Sequence, residues 1–428
     1  MGKLRRGDLP PSILCPPPGP RSRRLARHST RLEAPGINAV GPDGTTLVWQ
    51  EAKGANVLDV DGNRYVDLTA GFGVAAVGHR HPAVVAAIRQ QSGTLIHGLG
   101  DVHSHPRRSE LAREVLKQTP VDAGQVFFGV SGSDAVEIAV KTAMLATGSA
   151  GVLTFEPAYH GLSLGALNLT SRPEFREPFA EHLHANVHRL SFGCPSAEIA
   201  NWLRRHPEAS CVVVEPTVGR EGVLLPPLGW LPELRRLCSQ HQVLMIADEI
   251  FTGFGRTGRW FAVDHESVRP DLLCCGKALG GGLPIAAVVG RRDLMVAWKK
   301  SGEALHAGTF AAHPLSCAAA LATLRVIRSE RLVQRSARLG RQVASRLRDW
   351  PENHPSVLAV RGHGLMWGVE LANSATAHRL TRTLLGRGVL ALAGGPSGRV
   401  LQLLPPLVIS ESQLFGALDI LAAALEEI

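Results

Sequence analysis

Lys277 lies in a sequence context that favours a chemically reactive amine. It is one of only seven lysines among the 46 Lys and Arg residues of the chain, and it interrupts an apolar, glycine-rich run at 272–282. Burial disfavours the charged form of a lysine, which lowers its pKa and leaves the amine free to act as a nucleophile. A surface lysine in a flexible loop is the alternative, and the residues upstream argue against it.

Two carboxylates follow apolar runs upstream of Lys277. Asp248 ends the run 243–247, and Glu215 follows the continuous apolar run 211–214, which is typical of a strand buried on both faces. Ligands of open parallel sheets bind at the carboxyl ends of the strands, and a carboxylate buried there needs a partner. A structural salt bridge would explain one of these acids, whereas two beside a lysine predict a site.

Small and aromatic residues follow two further predicted strands. The segment 131–133, Ser-Gly-Ser, comes after the predicted strand 125–128 and opens a predicted helix, whose N–H groups suit a phosphate. An ordinary N-cap role for Ser133 is the alternative. Tyr159 and His160 follow the next predicted strand and offer planar side chains to a ligand, although Tyr159 could also be a packed core aromatic.

Pyridoxal phosphate meets the requirements of all these groups. Its aldehyde forms a Schiff base with a lysine such as Lys277, and its ring nitrogen stays protonated beside a carboxylate such as Asp248. Its phosphate suits the helix start at 131–133, and its ring suits a flat neighbour such as Tyr159. The sequence therefore predicts a pyridoxal-phosphate site and no metal site.

Alternating strands and helices are predicted from about residue 82 onward. Such alternation predicts an α/β fold with a mainly parallel sheet and right-handed crossovers. Before it, a hairpin is predicted over 46–70, with its turn at 61–63, Asp-Gly-Asn. After it, a long helical stretch over 315–349 is followed by short strands and a terminal helix near 411–426.

A chain of 428 residues with 45% hydrophobic content can bury more than one core. Residues 1–34 form a basic, proline-rich tail that is expected to be irregular and mobile at its start. Residues 35–75 and 312–428 are predicted to form a smaller α+β domain from both chain ends. Residues 76–311 are predicted to form the larger, cofactor-binding domain.

The formal charge of +9 is concentrated in the tail, because residues 1–31 hold eight basic residues against a single acid, Asp8. The rest of the chain is nearly neutral, with no obvious basic groove of the kind that binds nucleic acid. An organelle transit peptide is an alternative for the tail, although its prolines break an amphipathic helical pattern.

The cysteine pattern favours a reducing compartment. The seven cysteines are scattered without a C-x-x-C pair, and the adjacent Cys274 and Cys275 are not expected to bridge. No apolar run approaches the roughly 18 residues needed to cross a membrane. The expectation is a cytoplasmic protein without membrane or nucleic-acid partners.

From about residue 35 to its C-terminus the chain resembles the class III aminotransferases, which include the ω-amino-acid, ornithine and 4-aminobutyrate transaminases. The resemblance rests on ordered motifs at Ser131–Glu137, Ala158–Gly161, Asp248–Gly258, Gly276–Pro284, Gly308–Phe310 and Arg361–Met366. It implies a fold-type I, pyridoxal-phosphate-dependent transferase. In that fold a larger domain with a mainly parallel, seven-stranded sheet is joined to a smaller α+β domain.

The resemblance also implies a role for each site residue. Lys277 forms the Schiff base and later moves a proton between the substrate Cα and the cofactor C4′, while Asp248 holds the pyridinium nitrogen. An obligate homodimer with shared sites is implied, because Thr309 reaches the phosphate held by the neighbouring subunit. The other implied cofactor contacts are Gly132 and Ser133 at the phosphate, Tyr159 and Ile250 on the ring faces, and His160 and Glu215 in the polar surroundings of Asp248.

The chain departs from the family at a position expected to bind substrate. Many relatives that use 2-oxoglutarate carry an arginine shortly before a Pro-Pro-Leu sequence near the C-terminus, where it binds the α-carboxylate as a bidentate fork. Gln402 occupies that position here, before the Pro-Pro-Leu at 405–407. Arg399 is a poor substitute, because an odd offset along a strand points to the opposite face.

A second departure lies in the segment 215–222, Glu-Pro-Thr-Val-Gly-Arg-Glu-Gly. Relatives often have a glutamate at the position of Arg220, which covers the carboxylate-binding arginine when no α-carboxylate is bound. We hypothesise that Arg220 itself supplies a carboxylate site facing Gln402. A one-residue loop shift that places Glu221 there is the alternative.

Phe251 is a third departure, because many relatives have a glutamine there that touches the phenolic oxygen of the cofactor. The substitution makes the site more apolar and favours an amine with a bulky or apolar portion. Phe72 is a further candidate for contact with the substrate.

The sequence thus favours an aminotransferase that moves an amino group from a primary, ω-type amine or amino acid to a 2-oxo acid. A racemase or epimerase on the same scaffold is the main alternative, since some family members lack the carboxylate-binding arginine and return the proton to Cα. A non-catalytic scaffold is a third possibility, which the intact Lys277, Asp248 and Thr309 disfavour.

Overall fold

The computed structural model of the chain describes residues 4–35, 46–100, 102–300 and 303–428. It contains two compact units. The first unit contains the described residues up to His81 together with 345–360 and 368–428. The second unit contains 82–344 and 361–367.

The described residues form fifteen strands. They are β1 Trp49–Lys53, β2 Asn56–Asp59, β3 Arg64–Asp67, β4 Gly124–Gly129, β5 Gly151–Glu156, β6 Val187–Ser191, β7 Ala209–Val214, β8 Leu244–Asp248, β9 Leu272–Cys275, β10 Ala286–Arg291, β11 Val357–His363, β12 Met366–Leu371, β13 Val389–Leu390, β14 Leu392–Gly394 and β15 Val400–Leu403.

The same residues form fifteen α-helices. They are α1 Pro20–Leu32, α2 Ala70–Gly73, α3 Pro82–Ser92, α4 Pro106–Leu116, α5 Gly132–Thr147, α6 Leu164–Leu167, α7 Pro173–Arg176, α8 Ser196–Arg205, α9 Trp230–Gln240, α10 Arg292–Met295, α11 Pro314–Ser329, α12 Leu332–Leu347, α13 Trp350–Asn353, α14 Ser374–Gly386 and α15 Glu411–Glu426. Short 3₁₀ helices lie at Glu177–His182, Ala262–His265, Lys277–Gly280 and Val296–Lys300.

A seven-stranded sheet with the order β4-β10-β9-β8-β7-β5-β6 forms the centre of the second unit. The pairs from β9 to β6 are parallel, whereas β10 is antiparallel to both β9 and β4. Every residue of β7 and β8 is buried, as expected of strands covered on both faces. The predicted α/β fold with a mainly parallel, seven-stranded sheet is confirmed.

Helix α5 packs against β4, β7, β9 and β10 and supplies much of the core on one face of this sheet. Its buried side chains are small or branched, which lets the helix lie close to the strands. The strand order places the carboxyl ends of β5, β7, β8 and β9 side by side. The predicted site residues Tyr159, His160, Glu215, Asp248 and Lys277 lie at or just after these four strand ends.

The stretch 315–349 forms two helices rather than one. Arg331, with φ of 51°, separates α11 from α12, because a left-handed residue cannot continue a right-handed helix. Helix α11 packs against α3 and α4. The segment 312–344, which the sequence pattern assigned to the smaller domain, therefore lies in the second unit.

The first unit contains a four-stranded sheet with the order β1-β2-β3-β13, and a further four-stranded sheet has the order β11-β12-β15-β14. Strands β2 and β3 pair antiparallel around the turn at 61–63, as the sequence predicts for this hairpin. The short β13 adds to β3 in parallel.

The tail contains a helix, α1, that the sequence pattern does not predict. The prolines of the tail all lie at or before Pro20, which is the first residue of α1, where a missing N–H has no cost. The carboxylate of Asp61 accepts hydrogen bonds from the backbone N–H groups of Arg21 (2.7 Å) and Ser22 (2.9 Å). Asp61 thus caps the helix from the neighbouring hairpin.

In the described part of the chain, no helix combines the length and the apolar character that crossing a membrane requires.

Candidate active site

Lys277 follows β9 directly after Gly276 and begins a 3₁₀ helix. Its φ of 39° lies in the left-handed region, where a residue with a side chain is strained. At Gly276 a Cβ atom would lie 3.1 Å from Cδ1 of Ile250, so the end of β9 packs closely against Ile250, the second residue after β8. The strained backbone and the close packing fix the position of the lysine side chain.

The amine of Lys277 has a pKa lowered to about 8. Burial is the main cause, and the charge of Arg220 adds to it, whereas the carboxylates of Asp248 and Glu215 oppose it. The Nζ atom lies 4.3 Å from the centroid of the Phe251 ring. Because the pKa is close to neutral, an appreciable fraction of the amine is uncharged and nucleophilic in the physiological range.

Asp248 ends β8 and forms a buried pair with His160. Its Oδ2 accepts a hydrogen bond from His160 Nδ1 at 2.7 Å, and its Oδ1 accepts one from the backbone N–H of Ile250 at 3.1 Å. Burial lowers the pKa of His160, but the bond to Asp248, with the charges of Asp248 and Glu215, raises it overall. The hydrogen bond to Asp248 therefore favours the protonated form of the His160 imidazole.

Glu215, at the end of β7, connects two loops around this pair. Its Oε1 accepts a hydrogen bond from the N–H of Tyr159 (2.9 Å) and its Oε2 from the N–H of Gly219 (2.8 Å). Burial raises its pKa to about 7, while His160 lowers it and Asp248 raises it. Glu215 thus holds the loop after β5 against the loop after β7.

The start of α5 is closely packed against two neighbouring segments. Ser131, not Ser133, is the N-cap, because its Oγ accepts a hydrogen bond from the N–H of Asp134 at 3.2 Å. A Cβ on Gly132 would lie 3.0 Å from Ile250, and a Cβ on Gly161 would lie 2.0 Å from the Ser133 Oγ. The N–H groups of Gly132 and Ser133 have no acceptor inside the helix and are available to an anion.

Arg220 lies over the ring of Tyr159. Its guanidinium carbon is 4.3 Å from the Tyr159 centroid and 5.2 Å from that of Phe175. The next residue, Glu221, is buried and accepts a hydrogen bond from Arg172 Nε at 2.7 Å. The geometry therefore places Arg220, and not Glu221, beside Tyr159, and its charge acts on Lys277.

The remaining predicted site residues lie elsewhere. Thr309 is exposed in the turn before α11, and Phe310 beside it is 60% exposed. Phe72 and Gln402 belong to the first unit. Phe72 is 59% exposed with φ of 59°, and Gln402 is buried in β15.

The sequence does not reveal the surroundings of Arg220. Arg172 and Phe175 were not identified as site residues, because they lie 40 or more positions from the residues they contact in the loop after β7. The partnership of His160 with Asp248 spans 88 positions and has no local pattern either. Only its place after a strand marked His160 as a candidate.

Comparison with known proteins identifies the relatives of this chain. The family model for class III aminotransferases matches residues 37–425. The acetylornithine aminotransferase of Methanopyrus kandleri is 41% identical over 380 residues, which cover 89% of this chain and 94% of that protein. The alanine/serine racemase of Pyrococcus horikoshii is 32% identical over 97% of this chain and 93% of that protein.

A solved structure shows the same fold. The ornithine aminotransferase of Toxoplasma gondii superposes with a TM-score of 0.86 at 30% identity, covering 94% of each chain, and its structure was described with pyridoxal phosphate at the active site. The match extends over nearly the whole chain and includes the segments around Lys277 and Asp248. The chain belongs to the class III aminotransferases, which depend on pyridoxal phosphate.

Proposed function

We propose that this aminotransferase takes an amino group from a primary, ω-type amine or amino acid and delivers it to a 2-oxo acid, with Lys277 as the catalytic amine. The observation that carries the proposal is a lysine with a pKa of about 8 grouped with the buried Asp248–His160 pair. A lysine that serves structure alone gains nothing from such a pKa, whereas a nucleophile or proton carrier needs it.

The residues around Lys277 fit pyridoxal phosphate. The donor set contains a buried amine, a carboxylate bonded to an imidazole whose pKa is raised, and two N–H groups at a helix start. We assign the phosphate to Gly132 and Ser133 and the ring faces to Tyr159 and Ile250. When bound, the cofactor supplies an aldehyde that condenses with amines and a ring that withdraws electrons from the substrate Cα.

Each side chain then has a defined task. Lys277 would hold the cofactor at its aldehyde carbon through Nζ, and its free amine would carry a proton to and from the reacting carbon. Asp248 would accept a hydrogen bond from the protonated ring nitrogen. His160 holds the Asp248 carboxylate in place, and Glu215 positions the Tyr159 loop.

The choice between amino transfer and racemisation can be tested with one enantiomer of an amino acid. The holoenzyme is expected to produce a 2-oxo acid and to need a second oxo acid for turnover, without loss of chirality in the donor. The racemase relative keeps the alternative open, because the same groups could return the proton to either face of Cα. Loss of chirality with no oxo acid formed would establish the racemase instead.

Arg220 is proposed to bind the carboxylate of the acceptor. Its guanidinium acts on Lys277 electrostatically and lies against Tyr159, where a bidentate contact to a carboxylate can form. Arg220→Ala is expected to raise the KM for 2-oxoglutarate about ten- to a hundredfold, the value of a charge-assisted hydrogen bond. Arg205→Ala, at an exposed position on α8, is the control. An unchanged KM in the Arg220 variant contradicts the assignment.

We further propose a cytoplasmic homodimer with shared sites. The homodimer is supported by an apolar surface on the second unit. Four side chains there are each more than half exposed, namely Ile96, Leu99, Val102 and Phe310. The rings of His97 and Phe310 lie 5.4 Å apart on the same surface. Patches of this kind mark interfaces, and Thr309 lies beside it. Sedimentation should give twice the chain mass, and Phe310→Asp should lower that mass together with activity. A monomeric wild-type enzyme with full activity excludes this arrangement.

A further inference from the structure

A large cavity lies in the second unit and shares no lining residue with the group around Lys277. Its volume is about 810 Å³, which is in the range of sites for small ligands. The walls come from the turn 257–260, the exposed side of α12 and the hairpin segment 362–364. The turn 257–260 and the segment 362–364 overlap the family motifs 248–258 and 361–366 at positions that do not contribute to the site at Lys277.

The floor of the cavity is closely packed. A Cβ on Gly364 would lie 2.4 Å from the N atom of Gly258, and a Cβ on Gly340 would lie 2.5 Å from the carbonyl oxygen of Gly364. A Cβ on Gly258 would lie 2.9 Å from Cα of Ala337. Backbone therefore meets backbone along three segments, and the cavity is a preformed feature of the fold.

The charged side chains of the cavity favour an anion. Arg259 and Arg341 line it from opposite segments, and both are exposed to solvent. The only acidic lining residue is Asp264, whose Oδ2 accepts a hydrogen bond from the N–H of Phe261 at 2.9 Å. Two guanidinium groups that face a shared space suit a phosphate, because each can bind its oxygens as a planar fork.

The other walls favour a planar ring. The rings of His265 and His363 lie 4.6 Å apart, and the indoles of Trp260 and Trp367 line the same space. At the floor, Thr257 is 1% exposed, and within the described residues its Oγ1 has no hydrogen-bond partner. A buried hydroxyl without a partner carries a desolvation cost that a ligand can offset.

We propose that this cavity is a second ligand site, which binds a planar base carrying a phosphate, of the size of a nucleoside monophosphate. The phosphate lies between Arg259 and Arg341, the base lies against the aromatic walls, and Thr257 gives or accepts one hydrogen bond. The site is independent of the amino-transfer chemistry at Lys277.

The test is calorimetric titration of the holoenzyme with AMP, UMP and inorganic phosphate. AMP or UMP should bind at least about tenfold more tightly than phosphate, because only the nucleotides use the aromatic walls. Arg259→Ala and Arg341→Ala should each weaken nucleotide binding about tenfold, and Thr257→Val about fivefold. Arg338→Ala, on the same helix but outside the cavity, is the matched control and should bind as the wild type does.

Three results overturn the proposal. The first is that neither nucleotide releases heat with a folded holoenzyme. The second is that both nucleotides bind no more tightly than phosphate, which removes the role of the aromatic walls. The third is that Arg338→Ala weakens binding as much as Arg341→Ala does. Nucleotide binding would then depend on the general positive charge of the surface and not on the cavity. The two arginine variants change exposed side chains, so their folding can be verified by an unchanged Tm.

Discussion

Lys277→Ala is expected to lower kcat/KM for amino transfer by about 10⁴-fold, because it removes both the amine that binds the aldehyde and the base that moves the proton. The variant should still fold, since alanine fits the space of the longer side chain and removes no hydrogen bond that a neighbour needs. Lys299→Ala, at an exposed position, is the control and should retain full activity. Steady-state kinetics with a saturating oxo acid measure the effect.

Reduction with borohydride gives a second measurement of the same assignment. In the wild-type holoenzyme, reduction followed by peptide mapping should find the cofactor mass on Lys277 alone. In the Lys277→Ala enzyme the reagent should attach nothing. A labelled peptide elsewhere, or an alanine variant within tenfold of wild-type activity, would show that another amine performs the chemistry.

The pH dependence of cofactor uptake follows from the pKa of Lys277. Only the neutral amine attacks an aldehyde, and with a pKa of about 8 its fraction rises about tenfold per pH unit below that value and levels off above it. Recombination of the cofactor-free enzyme with pyridoxal phosphate should therefore speed up through pH 7 and reach a plateau above pH 8. With a lysine of ordinary pKa, the rate of recombination would continue to rise towards pH 10.

Asp248→Asn is the second large effect that we expect, with kcat reduced about 10²- to 10⁴-fold. The amide has the same shape as the carboxylate but no charge, so it cannot keep a proton on the ring nitrogen of the cofactor. The substitution also removes the interaction that raises the pKa of His160, which burial alone lowers. The loss should fall on kcat more than on the KM of the amine, because binding of the substrate does not use this charge.

Glu249→Gln is the matched control for this variant. Glu249 is the next residue and equally buried, but its carboxylate accepts hydrogen bonds from Thr252 and from the N–H of Val263 (2.8 Å) instead of facing His160. Burial raises the pKa of Glu249 to about 7, so about half of this carboxyl group is already neutral at pH 7 and an amide removes only part of a charge. Equal losses of kcat in the two variants would mean that the effect of Asp248 is structural.

The large sheet could be anticipated from sequence because its strands have a clear pattern. Residues 211–214 of β7 form a continuous apolar run, and the polar Glu215 breaks that run at the point where the strand ends. Asp248 and Lys277 were found in the same way, as charges that interrupt apolar sequence. The antiparallel β10 could not be distinguished from a parallel strand, since burial on both faces gives both the same composition.

Other features depend on contacts that no local pattern records. Helix α1 follows a proline-rich segment and depends on Asp61, which lies about forty positions away, for its N-terminal hydrogen bonds. Arg331 divides a continuous helical pattern by adopting a positive φ, which a glycine or asparagine at this position would have indicated and an arginine does not. The Arg172–Glu221 ion pair, which leaves Arg220 beside Tyr159, also has no local sequence pattern that would predict it.

The order of the strands has a consequence for how such enzymes diverge. The residues grouped at Lys277 come from the ends of four adjacent strands, β9, β8, β7 and β5, so each is carried by a separate loop. If Arg220 binds the acceptor as proposed, mutations in its loop would change which acid is accepted and would leave the strands before Lys277 and Asp248 in place. Because each site residue lies on its own loop, relatives that share this fold can include both aminotransferases and a racemase.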